Sequence, residues 1–450
     1  MKNVDEEIYE DENLEGLPVD TSRFKPMGAT DIIRILEPTI KQDNTNKFLV
    51  FSAMLNAYTE ENQMNIAFIA PSSSGKSHIP HEVSMLFPKE DLIMLGSASP
   101  TAFYHDMGAY DKETNTLTVD LERKIVIFLD QPNTALLERL RALLSHDEKE
   151  VKNKITDKSE KKGMRTKNVI LRGFSTFVFC TAGLKVDEQE STRFLLLSPE
   201  ISQEKIREAV LQRIHKGSDC ESYNRLLNAN PERQLLKQRI LAIKQAHVID
   251  IKINNPELIE EMFFKRQKKL KPRDQRDIAK IMNIIKSFAL INYWFREKDG
   301  LSIVANNDDI TNAFEIWDSL SDAQSLGLPP YIYDMYNDVI VSEFQKVNEK
   351  NVGVWIGLTR GRIASVHYEV YGRYIADWQL RQIITMLETA GLIYQEADEI
   401  DKRKMLVYPT FARKEGSTNN SEERGGVIAD LDNPEGLLDI FDGNLPEISI

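Results

Sequence analysis

Short apolar runs, cut by serine, glycine and charge, mark the first two hundred residues, and helical periods mark the rest. Asn65-Ile66-Ala67-Phe68-Ile69-Ala70 reads as a buried strand. It passes directly into Pro71-Ser72-Ser73-Ser74-Gly75-Lys76-Ser77 and then a helical pattern through Met85. A second apolar run, 125–129, stops at Asp130-Gln131, and a third, 176–180, stops at Thr181-Ala182-Gly183. A fourth, Leu195-Leu196-Leu197, follows Ser191-Thr192-Arg193-Phe194. Between the second and third, residues 150–172 read as strand, basic turn with Gly163, strand, which predicts a hairpin.

From Pro199 to about Gly327 the periodicity is helical, with helices predicted over 203–215, 231–247, 256–268 and a long one from Arg273. In the last, Ile278, Ile281, Met282, Ile285, Phe288 and Ala289 recur on one buried face. Beyond Pro329-Pro330 the pattern predicts helices over 333–346 and 359–371 and a third capped by Asp377 and stopped by Gly391. Leu380, Ile383, Ile384 and Leu387 form the core face of the third. Two apolar strands, 392–394 and 405–408, then flank an Asp401-Lys402-Arg403-Lys404 turn.

The 450 residues, 41% apolar and 28% charged, describe a folded chain with room for about three domains. Cys180 and Cys220 are too few for a disulfide framework or a four-cysteine zinc site and point to a reducing compartment. Cys180, within an apolar run, reads as packing rather than a reactive thiol. No apolar stretch approaches a membrane span, and the acidic start resembles neither a signal nor a transit peptide. A soluble cytoplasmic protein with no membrane partner is expected. The formal net charge of -13, taken whole, argues against a simple nucleic-acid binder. By segment, residues 1–20 carry -7 and residues 415–450 carry -8, leaving +2 in between. Both ends read as disordered solvating tails. Within the middle, 149–172 holds nine Lys/Arg against three acids. Either a solvated face or a phosphate-binding surface fits that run.

The strand–loop–helix at 65–85 has the spacing [AG]-x4-G-K-S, which predicts a nucleotide site. Backbone N–H groups of Ser72, Ser73, Ser74, Gly75, Lys76 and Ser77 would surround phosphate, Lys76 would neutralise its oxygens, and the Ser77 hydroxyl would ligate Mg²⁺. Ala70 stands where the first glycine is usual. Asp130, at a strand end, is the second metal residue. The neighbour is Gln131, where hydrolytic relatives carry a glutamate; an amide orients water but cannot take its proton. Asp147 is a candidate replacement carboxylate. Thr181 is placed to sense the terminal phosphate. ATP and Mg²⁺ are the expected ligands, with GTP open.

The order of these parts resembles an AAA+ ATPase: phosphate-loop strand, acid-ended strand, polar-tipped strand, then an Arg-Phe step. Ser191-Thr192-Arg193-Phe194 is similar to the arginine-finger step of minichromosome-maintenance-type helicases. In that family the finger reaches the neighbouring subunit's phosphate, so the resemblance implies a homo-oligomeric ring, most often a hexamer. It also implies that the basic hairpin, with Lys158, Lys161, Lys162 and Arg165, is a pore element of the pre-sensor-1 hairpin group that grips DNA phosphates. Pro272-Arg273-Asp274-Gln275-Arg276 resembles the sensor-2 segment, where Arg273 is the first choice for an arginine beside the nucleotide and Arg276 the second. The last three helices and hairpin resemble that group's winged helix, where Lys402 and Arg403 on the wing, and Arg381 and Gln382 on the third helix, would touch DNA. The combination is similar to helicase-like ATPases of phages, plasmids and integrative elements found beside primases, across residues 48–410.

The expected fold is therefore an α/β P-loop AAA+ module, a parallel sheet with flanking helices, plus an all-α lid and a C-terminal winged-helix domain. The expected boundaries are an acidic tail at 1–22, the core at 23–200 with its hairpin at 150–172, and the lid at 201–328. The winged helix takes 329–412 and a second acidic tail 413–450. The expected activity is an ATP-dependent DNA helicase or translocase in replication of a mobile element or virus. An ATP-controlled initiator or helicase loader, favoured by Gln131, and a regulatory or defence ATPase remain open. Primase and polymerase are implied partners, as is a sliding clamp, through the clamp-peptide-like tail Leu437-Leu438-Asp439-Ile440-Phe441.

Overall fold

The apolar runs become strands of one parallel sheet. In chain order the first nine strands are β1 (Asn65–Ile69), β2 (Leu92–Leu95), β3 (Ala109–Asp111), β4 (Thr116–Asp120), β5 (Ile125–Phe128), β6 (Glu150–Asp157), β7 (Arg165–Arg172), β8 (Thr176–Thr181) and β9 (Phe194–Leu197). Five of them form the central sheet in the order β2-β5-β8-β1-β9, every pair parallel. The computed structural model describes residues 19–96, 99, 103, 108–157, 165–183, 192–267, 269–349 and 355–412, without the side chains of 155–157, 165 and 166. Residues up to Thr410 make one unit and Phe411–Ile450 a second. Most of each expected tail, and the clamp-like segment 437–441, lies outside the described residues.

Alternation along the strands assigns each face of the sheet its cover. Ile66, Phe68, Ile125, Ile127, Val178, Cys180, Leu195 and Leu197 join a cluster with helices Ala29–Leu36, Asn44–Asn56, Pro231–Ala246, Asp274–Ile291 and Asn307–Asp318. Ala67, Ile69, Val126, Phe128, Phe177, Phe179, Phe194 and Leu196 face the other way, against helix Thr134–Leu144 and Leu117, Val119, Val169 and Leu171 of a second sheet. Helix Asn44–Asn56 is buried from Asn46 to its end. Its Phe48 stacks on Phe288 of the long helix with ring centroids 4.6 Å apart. Truncating either ring to alanine costs about 3–5 kcal/mol. The first cluster thus crosses the expected boundary at 200/201 without a break. The free edge of β9 is closed by the fully buried Gln324, whose amide accepts from Leu196 N and donates to Leu196 O.

The basic hairpin does not stand alone. β6 and β7 pair antiparallel along their whole length, and β7 adds β4 in parallel, giving a four-stranded sheet in the order β3-β4-β7-β6. Residues 158–164, the turn that carries Lys158, Lys161 and Lys162, lie outside the described residues.

The segment expected to be an all-α lid is corrected by the structure. Three of its helices start on side-chain caps: Ser202 accepts from Lys205 N, Asn230 from Glu232 N and Arg233 N, and Asn255 from Leu258 N, with proline first in the last two of these. Between them runs a three-stranded sheet of Ile251–Ile253, Ser302–Ala305 and Glu297–Asp299. Ile251–Ile253 pairs in parallel with a strand some fifty residues later. Strands this short leave no period of their own, and a parallel partner across a helical crossover leaves no local turn signal.

Residues 330–409, here the C-terminal module, begin with helix Pro330–Met335, continued through a π-helical stretch Tyr336–Val341 into Ser342–Asn348. Helices Arg360–Tyr371 and Asp377–Thr389 follow, with a three-stranded antiparallel sheet of Leu358–Thr359, Met405–Pro409 and Ile393–Ala397. Leu380, Ile383, Ile384 and Leu387 are buried, as their spacing required. The cap of the last helix is Ala376 rather than Asp377. Asp377 instead pairs with Arg381 at 2.6 Å, one turn on.

Candidate nucleotide site

Register brings the three expected strand tips level. Ile69 of β1 lies opposite Thr181 of β8, and Phe128 of β5 opposite Phe179, so the tips leading to Ala70, Thr181 and Asp130 end side by side with β8 in the middle. Neighbouring strands lie about 4.8 Å apart, which places these groups along one rim. Ala70 N donates to Thr181 O at 3.3 Å, tying the loop's first residue to the middle strand. At the far end of the loop, the Cys180 thiol donates to Lys76 O at 3.3 Å.

The loop itself is built to turn tightly. Ser73 and Gly75 both take left-handed conformations, φ +66° and +90°. Only glycine holds the second without strain, and nothing approaches within 4 Å of where its Cβ would be. Helix His78–Ser84 starts directly after it, with His78 N and Ile79 N donating to Gly75 O. Ser74 Oγ is buried without a partner. An open cradle, an orphaned buried hydroxyl and a following helix start fit phosphate. Ser77 and Asp130 are the oxygen donors that fit a hard divalent cation at such a site.

Around the rim, polar contacts fix the remaining groups. Gln131 N donates to Asp130 Oδ1 at 2.8 Å. Gly183 N donates to Thr181 Oγ1 at 2.8 Å, and Thr181 Oγ1 donates to Gln131 Oε1 at 2.7 Å. Burial pushes the Cys180 thiol up to about 12, with Lys76 pulling it down and Asp130 pushing it up. That thiol stays protonated at neutral pH, as its place in an apolar run suggested.

Arg193 and the expected sensor-2 arginines lie elsewhere. Phe194 is opposite Asn65, so Arg193 sits at the amino end of the sheet, about 20 Å along the strand direction from the loop. Its Nε donates to Ser145 Oγ at 2.5 Å. It lines a cleft of about 510 Å³ with Glu138, Arg139, Arg141, Asp147 and Asn153. Asp147 therefore belongs to Arg193's cleft, which corrects its candidacy as a carboxylate for Asp130's rim. Arg276 Nη1 donates to Thr192 Oγ1, beside Arg193. Arg273, one turn earlier, has Nε 3.5 Å from Asp277 Oδ2 and buried Nε and Nη2 without hydrogen-bond partners. Lys280 joins the same carboxylate at 3.1 Å, and burial, reinforced by Arg273 and Arg276, brings it down to about 8. Arg273 and Lys280 thus share Asp277, while Arg276 reaches Thr192 beside Arg193.

The expected DNA contacts are divided. Arg165 is in β7, and its side chain, like Lys158, Lys161 and Lys162, lies outside the described residues. Lys152 and Lys154 are exposed on β6, while Val151 packs on the core. Lys149 is held by Glu60 at 2.7 Å. In the C-terminal module Lys402 is exposed, and Arg403 and Lys404 lean on Asp401 at 3.1 and 3.6 Å. One contact carries no sequence signal beyond the glycine before it: Arg373 Nη1 donates to Ser72 O at 2.9 Å. Among the described residues no helix is long and apolar enough to cross a membrane.

No protein-family model matches the sequence, and no curated protein matches it. Among solved structures the chain is similar to a full-length MCM homolog from Methanopyrus kandleri, at 12% identity and TM-score 0.42. That match covers 64% of this chain and 57% of the other, so the chain spans little more than half that protein's length. It is also similar to the SCCmec type IV Cch active helicase, at 9% identity and TM-score 0.34, over 85% of this chain and 70% of that one.

Proposed function

We propose that this chain is a DNA-dependent ATPase of the AAA+ kind that works as a homo-oligomeric ring. The observation that carries the reading is the level rim of phosphate loop, Thr181 and Asp130, beside an open loop with Gly75 at φ +90°. Backbone N–H groups of Ser72–Ser77 and the Lys76 ammonium hold the phosphates. Ser77 and Asp130 would hold Mg²⁺, whose charge would offset that on the phosphate oxygens. Gln131, its carbonyl engaged by Thr181, offers its amide N–H groups to orient the attacking water. Arg193 is too far from its own loop to act there. Its place with Arg273, Arg276 and Lys280 at the opposite end supports action on the nucleotide of a neighbouring copy, where a cation excess meets an incoming anion.

The hairpin of β6 and β7 carries an excess of lysine and arginine, and DNA phosphate is the ligand that charge fits, independent of base sequence. The C-terminal module has the helices and paired strands of a winged helix, with Lys402 and Arg403 at the wing tip as further contacts. The phosphate loop and the basic hairpin support a helicase or translocase, which we propose serves replication of a mobile element or virus, with a primase, a polymerase or a sliding clamp as partners. A second reading, an ATP-controlled initiator or loader, is favoured by one observation: the rim holds an amide at Gln131 where fast hydrolysis needs a base. Turnover with and without single-stranded DNA, together with strand displacement on a forked duplex, separates the two. DNA-stimulated turnover with displacement is the expected result. ATP-dependent DNA binding with negligible turnover would replace the motor by the switch.

A further inference from the structure

The C-terminal module reaches back to the phosphate loop. Helix Arg360–Tyr371 ends on Gly372 at φ +66°, a left-handed cap that suits glycine, and the next residue is Arg373. On the module's side this peptide is pinned. Buried His367 has Nδ1 2.9 Å from Arg373 O and Nε2 3.3 Å from the Tyr331 hydroxyl. A neutral ring with its hydrogen on Nδ1 serves both, donating to the carbonyl and accepting from Tyr331. On the other side Arg373 Nη1 donates to Ser72 O, in the middle of the loop. The second point of approach is Gly372 itself. A Cβ there would stand 3.1 Å from Nε2 of Gln203, next to Ser202, whose hydroxyl donates to Gln42 Oε1.

The contact acts on one peptide. A trans peptide points its C=O and its N–H in opposite directions. Holding the Ser72 carbonyl toward Arg373 therefore turns the Ser73 N–H away from Arg373, and a charged donor on the carbonyl polarises that N–H as a better donor. Ser73 is also the residue at φ +66°, a conformation a serine keeps only when its surroundings impose it.

We infer that Arg373 is a positioning residue of the nucleotide site, lent in cis by the C-terminal module, so that nucleotide binding and docking of that module are one coupled equilibrium. The inference rests on Ala70–Ser77 being a nucleotide site. Coupling is reciprocal: whatever docking adds to nucleotide affinity, nucleotide adds to docking. The module that would carry DNA contacts thus senses the state of the loop without any subunit boundary in between.

The test uses the full chain and a fluorescent ATP analogue, with Trp378, exposed five residues after Arg373, reporting on the module. Arg373→Gln is expected to weaken the analogue about tenfold, and Arg373→Lys to recover most of that loss. ATP is expected to shift the Trp378 emission in the wild type but not in Arg373→Gln, with Trp378→Phe identifying the signal. Arg373→Gln binding within about twofold of wild type overturns the inference. So does weakened binding that lysine does not rescue and that comes with a lowered melting temperature without nucleotide, the mark of a merely structural contact. A wild-type chain indifferent to the analogue, or Lys76→Ala binding as well as wild type, removes the nucleotide-site reading instead, and the inference with it.

Discussion

Thr181 Oγ1 donates to Gln131 Oε1 at 2.7 Å, and the same hydroxyl oxygen accepts from Gly183 N. The chain of donors runs one way, from Gly183 through Thr181 to Gln131, and leaves the glutamine's N–H groups as its working end. An amide in that pose can hold water but cannot deprotonate it. Replacing Gln131 by Glu keeps the bond to Thr181 and adds a base. Positioned bases contribute about 10²–10⁴ in rate. Gln131→Glu is therefore expected to raise steady-state ATP turnover at least tenfold. Turnover unchanged or lowered would mean that another group already takes the proton.

The hairpin makes a salt-dependent prediction. Lys161→Ala with Lys162→Ala, and separately Lys152→Ala with Lys154→Ala on the exposed face of β6, should weaken DNA binding at any sequence. Each lost phosphate contact lowers the slope of log affinity against log salt by about 0.7–0.9. A fluorescence-anisotropy titration at several salt concentrations reads both quantities. An unchanged slope in both variants would separate the hairpin from DNA.

His146 predicts a pH dependence of stability. Burial pushes its imidazole down to about 4 against the opposing pull of Asp147, and its Nε2 has no hydrogen-bond partner. Its folded pKa lies below its unfolded value near 6.5, so its contribution is present above that value and lost as pH falls toward about 4. Between pH 7 and pH 5 this amounts to roughly 2 kcal/mol. His146 sits at φ +57°, a conformation asparagine tolerates, so His146→Asn removes the titration without straining the turn. Denaturant melts at the two pH values should show a smaller loss for the variant. Equal losses would clear His146 of the effect.

What the sequence showed and what it hid divide along physical lines. The loop at 70–77, the apolar runs of β1, β5, β8 and β9 and the hairpin were legible because their signals are local: spacing, alternation and a turn. Helix Asn44–Asn56 escaped because it is buried on nearly every side, so its polar and apolar residues follow no helical period. β2, β3 and β4 escaped because three to five residues with distant partners leave little pattern. The rim's chemistry was half legible. Asp130, Gln131 and Thr181 could be named from strand ends, but the bond between the last two follows only from β5 and β8 being neighbours. Arg373 and Ser72 are 301 residues apart, beyond any local signal.

The central claim, that each nucleotide site is completed by a second copy, is tested most directly by mixing two inactive chains. Lys76→Ala should lose ATP binding, and Arg193→Ala should bind ATP without turning it over. In an equal mixture that exchanges subunits, about a quarter of the interfaces pair an intact Lys76 with an intact Arg193 from the neighbour. DNA-stimulated ATP turnover should then reappear, although neither chain shows it alone. A mixture as inactive as its parts, under conditions where subunit exchange is demonstrated, would contradict the account.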